Sequence, residues 1–421
     1  MAEDLLDIYR LAEKNDPQFK AAQATRLAAL EAKPQSRALL LPDISLSAST
    51  TRDREDIQSS SSAIFSTETT YSTNTGYSLT LSQPLFNAEY FIQLRQADAR
   101  VGQADAELAA AQQELITRVA ERYFDILAAV DNLEFARAEK SAVERQLEQT
   151  KQRFEVGLIA ITDVHEAQAA YDLAIAEEID AENQLSSSQE ALRELTGQHH
   201  KSLAYLTDKI QLISPDPANI DKWSDTALNQ NFTLLAAEFA AKAAQDEIKL
   251  QRSGHLPTLD VNASHGLTDI SGGSFGARET EDSAIGIRLN VPLYSGGGTN
   301  SRVREAMQLF EQAKENLEQQ RRSTLRQSRD AYLSTTAAIN RVKALNQAVI
   351  SAQSALDATE AGLEVGTRTT VDVLNSRREL FRAQQNHARS RYDYILNTLR
   401  LKQAAGILSA ADLEQINNWV E

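Results

Sequence analysis

The chain has 421 residues, with 43 Lys plus Arg against 59 Asp plus Glu, a net charge of −16 and no cysteine. That balance argues against a nucleic-acid partner, because phosphates require a cationic face. The lack of cysteine excludes disulfides, thiolate metal sites and a lipidated N-terminal cysteine. Aromatic residues make up 6%, with 16 glycines and 8 prolines, a composition of long Ala/Leu/Glu/Gln helices rather than of several conventional cores.

Met1-Ala2-Glu3 leads directly into a polar helical stretch, Asp4 to Lys14, and no apolar run reaches the 18 or so residues of a membrane helix. The chain is therefore either cytoplasmic or has had its export signal removed and a start codon added. Asp16-Pro17 forms a good N-cap and N1 pair for a helix to about Ala38. Strands follow at about 42–50 and 76–84, where Ile44, Leu46 and Ala48, then Tyr77, Leu79 and Leu81, alternate with polar residues. A polar segment, Thr51 to Asn74, joins them.

From Ala88 to Val156 there is no proline, and the only interruption is Gly102. Val119, Tyr123, Ile126, Val130 and Leu133, and then Val143, Leu147, Thr150 and Phe154, step by four and three as in a coiled-coil seam. The pattern predicts one helix on the order of 100 Å long. Gly157 stands where a C′ glycine would end it. Thr162 or Asp163 is then expected to cap a second helix to about Leu195, which makes an antiparallel hairpin over 88–196.

The second half repeats the first. FEVGLIAITDVHEAQAAYDLAI from Phe154 matches LEVGTRTTVDVLNSRRELFRAQ from Leu363, so that Gly157 answers Gly366, Asp163 answers Asp372 and Gly197 answers Gly406. Pro84-Leu85-Phe86 answers Pro292-Leu293-Tyr294, and Leu41-Pro42 answers Leu256-Pro257. The chain thus reads as an internal duplication of a unit of about 200 residues, too long for a solenoid repeat. The first copy spans 1–197 and the second 231–406, with a linker at 198–230 and a C-terminal segment at 407–421. In the second copy a helix starts at Asn231, strands fall at about 257–265 and 284–292, and a hairpin occupies 299–405. Pro42, Pro84, Pro257 and Pro292 mark the four places where strand meets helix.

Ten-residue strands tilted near 45° span roughly 23 to 25 Å, the height of an outer-membrane barrel, whose signature is this same alternation. No sequence remains to cover their apolar face. The smallest bacterial barrels need about eight strands, so the chain must oligomerise or leave sheet edges open.

RFEVGLIAITDV (153–164), GHLPTLDVNAS (254–264), NVPLYSGG (290–297) and VGTRTTVDVL (365–374) closely resemble the TolC family of outer-membrane exit ducts. The resemblance covers essentially the whole chain. It implies a mainly α fold with a small β part: a homotrimer in which four strands per chain close a transmembrane β-barrel of about 12 strands and coiled-coil hairpins form a long α-helical barrel. It places the barrel in the outer membrane of a Gram-negative bacterium and the helical tunnel in the periplasm. Residues 198–230, the Asp4 to Lys14 helix and the segment after Gly406 are the candidates for the family's equatorial belt.

The implied function is a passive conduit for drug efflux or type I protein secretion, opened by a periplasmic adaptor protein and an inner-membrane pump. Thr162 and Asp163 on the first hairpin and Arg368 on the second match the family's periplasmic gate, and Asp372 matches its acidic ring. Val156-Gly157-Leu158 and Val365-Gly366-Thr367 are the tips nominated for adaptor contact. Two positions depart from the best-known pattern: Leu363 replaces a hydrogen-bonding tyrosine, and Asn375 a second ring aspartate.

Other residues support no chemistry. His199-His200 lacks partners at zinc-site spacing, Gly296-Gly297-Gly298 lacks the Lys-Ser/Thr of a phosphate loop, and no nucleophile elbow occurs. Neither catalysis nor a cofactor is expected. A soluble coiled-coil scaffold or adaptor is the alternative that the helical seam alone would fit, and the four strands argue against it.

Overall fold

The computed structural model describes residues 3–56, 58, 69–200, 202–207, 210–273 and 276–420. Two compact units divide the chain: Met1–Thr25, Asp105–Leu235 and Glu318–Glu421 form one, Arg26–Ala104 and Ala236–Leu317 the other.

The second of these units holds the sheet. β1 (Asp43–Asp56), β2 (Thr69–Phe86), β3 (Thr258–Gly272) and β4 (Arg278–Asn290) pair in that order, all antiparallel. Register aligns Ile44, Leu81, Ala263 and Ile285 in one row across all four strands. Ile44, Leu46, Ile285, Ile287 and Leu289 are all more than 60% exposed, so the apolar face lies bare within one chain. β1 and β4 each leave an unpaired edge among the described residues.

The strands are longer than the apolar alternation predicts, 14, 18, 15 and 13 residues. Ladder pairing continues through segments that the sequence marks as polar connections, as in Arg52 with Thr73 and Thr268 with Thr280. Threonine is β-branched and fits a pleated ladder whatever the polarity of its surroundings. Residues 57, 59–68, 274 and 275 of those connections lie outside the described residues. Pro84 also departs from expectation. It sits inside β2, opposite Asp260, and the register shifts between it and Phe86, so this proline is accommodated at an irregularity instead of ending the strand.

Helices of the same unit supply the approach to the sheet. The helix expected over 17–38 is two, α2 (Pro17–Leu30) and α3 (Ala32–Ala38), α2 beginning in the first unit. Pro34 explains the break, since it has no N–H to give Leu30 and its ring crowds that carbonyl. Gly102, by contrast, interrupts nothing: a Cβ there would lie 2.7 Å from the Phe239 ring, so glycine admits a close aromatic neighbour while the helix runs on.

The first unit is helical. It contains α1 (Leu5–Asn15), α5 (Ile161–Thr196), α6 (Ile220–Gln230), α9 (Thr370–Ala404), α10 (Ala410–Asn417) and the greater part of α4 (Ala88–Glu155) and α8 (Gly298–Glu364); α7 (Phe232–Ser253) begins in it. Asp16 caps α2 as predicted, accepting hydrogen bonds from the Gln18 and Phe19 amides, and its buried carboxylate also pairs with Arg118. Asn231 caps α7 through bonds to the Thr233 and Leu234 amides.

Seam positions Val119, Tyr123, Ile126, Leu133, Val143, Leu147 and Thr150 are buried as the heptad spacing requires; Val130 is half-buried against the same core, and Phe154, at the tip, is exposed. The main core gathers Leu5, Ile8, Leu115, Tyr123, Phe124, Leu192, Ile395, Leu399 and Leu413 from α1, α4, α5, α9 and α10. Tyr123 donates to the Ala204 carbonyl at 2.7 Å, and His200, buried, lies 2.5 Å from Glu3 and 2.8 Å from Thr196. Those contacts tie the 198–207 segment to the N-terminus.

Candidate functional site

Both long helices end in the same device. In α4 the Leu158 amide donates to Arg153 and the Gly157 amide to Phe154; in α8 the Thr367 amide donates to Gly362 and the Gly366 amide to Leu363. These are paired Schellman closures, and they need a left-handed residue at C′. Gly157 has φ +76° and Gly366 φ +77°, with open space where a Cβ would go, so glycine is required by backbone conformation alone. The tips carry exposed apolar side chains, Val156, Leu158 and Val365, each at least 70% exposed.

The return helices start differently from each other. α9 has Thr369 at its N-cap, whose hydroxyl accepts the Asp372 amide at 3.2 Å while the Asp372 carboxylate accepts the Thr369 amide and hydroxyl at 2.9 Å each. In α5 the N-cap is Ala160, two residues before the expected Thr162 or three before Asp163. Alanine has no side-chain acceptor, so only the reverse bond forms, from the Ala160 amide to Asp163 at 3.3 Å. Thr162 is exposed inside the first turn, two residues past the N-cap.

Arg368 is exposed in the turn before α9. Among the described residues it forms no ion pair with Asp163, and its charge instead helps hold the Asp372 carboxyl below the usual range, a shift caused chiefly by the Thr369 hydrogen bonds. Within one chain, therefore, the structure brings Arg368 toward Asp372 and does not bring Arg368 and Asp163 together. Leu363 packs with Leu356, Val373 and Leu380 in a small apolar cluster of the second hairpin, and Asn375 is exposed.

The seam between the two hairpins, where α9 runs antiparallel to α4, has no local signature in the sequence. Arg400 pairs with Glu121 at 2.7 Å, Arg389 with Asp125 at 2.9 Å, and the Tyr392 hydroxyl donates to Asp131 at 2.7 Å. Nearer the tips Arg377 joins Glu360 of α8 to the Ala142 carbonyl of α4. Burial raises the Asp131 carboxyl and the Tyr392 hydroxyl above their ordinary values, with the Tyr392 bond opposing the shift at Asp131. The α4–α5 hairpin has its own polar clasp, Arg137 and Lys140 sharing Glu178.

Around the end of α4 a cleft of about 660 Å³ lies against the second hairpin, lined by Gln146, Gln149, Arg153, Glu360, Leu363 and Arg377 among others. Its walls are mostly polar, and they hold no nucleophile–base pair. Among the described residues no cluster of three or more His, Asp or Glu could hold a metal ion.

A family model described as outer membrane efflux protein matches residues 8–198 and 223–407. Outer membrane protein TolC of Vibrio cholerae is 45% identical over 419 residues, covering 99% of this chain and 93% of that protein. The Escherichia coli protein of the same name is 37% identical over 433 residues, covering 99% and 85%. Alkaline protease secretion protein AprF of Pseudomonas aeruginosa is 33% identical, covering 98% and 86%. Among solved structures, the Campylobacter jejuni CmeC outer membrane channel superposes with a TM-score of 0.82 at 17% identity, over 99% of this chain and 90% of that one. VceC, an outer membrane protein of Vibrio cholerae, gives 0.80 at 21%, over 96% of each. These two establish the fold. The near-full-length matches in sequence place the chain in the outer membrane efflux protein family.

Proposed function

We propose that three copies of the chain, each contributing its four-stranded sheet, close one transmembrane β-barrel and continue it as an α-helical tunnel. The chain is an outer-membrane channel of the efflux and type I secretion class, with its helical tunnel in the periplasm of a Gram-negative cell. The observation that carries the assembly is the sheet: one bare apolar face and two unpaired edges. Lipid would cover the first, and neighbouring copies would pair the second.

The two-copy organisation, 1–197 and 231–406, then gives each chain two pseudo-equivalent hairpins. Residues 198–230 and 407–421 act as the belt around the tunnel. Thr162, Asp163, Arg368 and Asp372 form the periplasmic constriction. Because Arg368 and Asp163 do not pair within a chain, their contact belongs between chains. The apolar tips, Val156-Gly157-Leu158 and Val365-Gly366-Thr367, meet the adaptor protein that links the channel to an inner-membrane pump.

The test of the assembly is mass in detergent. A trimer that requires detergent and shows dominant helical circular dichroism with a β contribution is expected. A monodisperse monomer stable without detergent would overturn the barrel.

A further inference from the structure

One carboxyl at the hairpin seam stands apart from the clasps above. Glu139 of α4 is 9% exposed and accepts no hydrogen bond among the described residues. It opens into a cleft of about 530 Å³ between α4, α5 and α9. From α5, Glu177 and Asp180 line that cleft; from α9, Arg378 and Arg382 do. The nearest cations of α4, Arg137 and Lys140, are already engaged by Glu178 and Glu182.

A carboxylate that loses most of its water without gaining a hydrogen bond, and has another carboxylate beside it, is disfavoured relative to its neutral acid. We propose that Glu139 makes the seam between the two hairpins sensitive to pH: packing of α4, α5 and α9 around it favours the protonated carboxyl, and their parting favours the carboxylate. The inference rests on the channel reading for its consequence, since parting of the hairpins is the movement that would widen the tunnel.

Burial, and then the Glu177 carboxylate, push Glu139 up to about 7, while Arg378 opposes them. In the parted state the side chain regains water and the ordinary carboxylate range. The packed state therefore binds the proton more tightly than the parted one. Its advantage is full at acid pH and is lost as pH rises from the ordinary carboxylate value through about 7.

The experiment is amide hydrogen exchange in α9, residues 377–386, of the full chain in detergent, expressed as protection relative to intrinsic exchange at each pH. Protection should fall by up to roughly tenfold between pH 6 and pH 8, the size set by one decade of proton affinity per pKa unit. Glu139→Gln should remove that dependence. Glu177→Gln should move the midpoint to lower pH and Arg378→Gln to higher pH, and both side chains are exposed, so neither change threatens folding.

Loss of protection that persists in Glu139→Gln with an unmoved midpoint overturns the proposal. So does a midpoint indifferent to both neighbours, a result available even if Glu139→Gln does not fold. Conductance of Asp163 and Arg368 variants judges the gate separately. If it is unchanged while exchange follows Glu139, the gate assignment fails and the seam proposal stands.

Discussion

Asp372 and Thr369 hold each other: the carboxylate accepts both the amide and the hydroxyl of Thr369, and the hydroxyl accepts the Asp372 amide. At the matching point of the first hairpin, Asp163 faces Ala160 and only one bond survives. The two hairpins thus differ at the residues that matter most to the proposed constriction. The second hairpin starts with a closed capping box, the first with half of one.

That asymmetry predicts opposite responses to substitution. Ala160→Thr supplies the missing acceptor and should stabilise the start of α5 by about 1 kcal/mol, read as slower amide exchange over 161–164. Thr369→Ala should fray α9 and let the Asp372 carboxyl rise toward its ordinary value. Because that carboxyl is held low, its contribution is present above the ordinary carboxylate range and lost as pH falls through the lowered value. Proton titration of Asp372 by NMR checks the direction.

The gate assignment predicts that Asp163→Ala or Arg368→Ala raises single-channel conductance in planar bilayers without disrupting the trimer. An exposed ion pair contributes about 0 to 1 kcal/mol, so three of them together remain small enough for a docking adaptor with better affinity for the open state to overcome. Unchanged conductance in both variants would leave Asp163 as a helix-start residue only.

Tyr392 and Asp131 predict a stability effect remote from the tips. Tyr392→Phe removes the hydrogen bond that opposes the burial shift at Asp131, so the carboxyl should titrate at still higher pH. Leaving a buried acceptor without its donor costs about 1 to 3 kcal/mol. Thermal unfolding should show the loss, and it should be larger at pH 8, where the group is charged, than at acid pH.

The long helices were legible because 88–155 and 298–364 contain no proline and each ends on a glycine with positive φ. Strand cores were legible from alternation, but strand ends were not: Thr69 to Thr75, Thr268 to Gly272 and Arg278 to Glu281 have the polarity of loops and the backbone pairing of a ladder. Pro34 was the one local signal overlooked, and it splits α2 from α3. The tips were visible in the matched VG pairs of the two copies. The seam was not, because Arg400 and Glu121, or Tyr392 and Asp131, lie far apart in sequence and look like solvated helix faces until α9 is laid against α4.

Asn375 carries the last prediction. Three Asp372 side chains around a threefold axis would place like charges close together in water and attract a counter-cation. One oxygen of each, Oδ2, is already committed to Thr369, which leaves one oxygen per chain to face the pore. Asn375, exposed one turn further along α9, can coordinate only through a neutral carbonyl and adds no charge. Cation selectivity with modest block by multivalent cations from the periplasmic side is the expected behaviour. Asn375→Asp should tighten that block markedly, because its carboxylates would be free of any capping role. Asp372→Asn should abolish the block that the native ring provides. If Asp372→Asn leaves both selectivity and block unchanged, the narrowest part of the tunnel lies away from the start of α9.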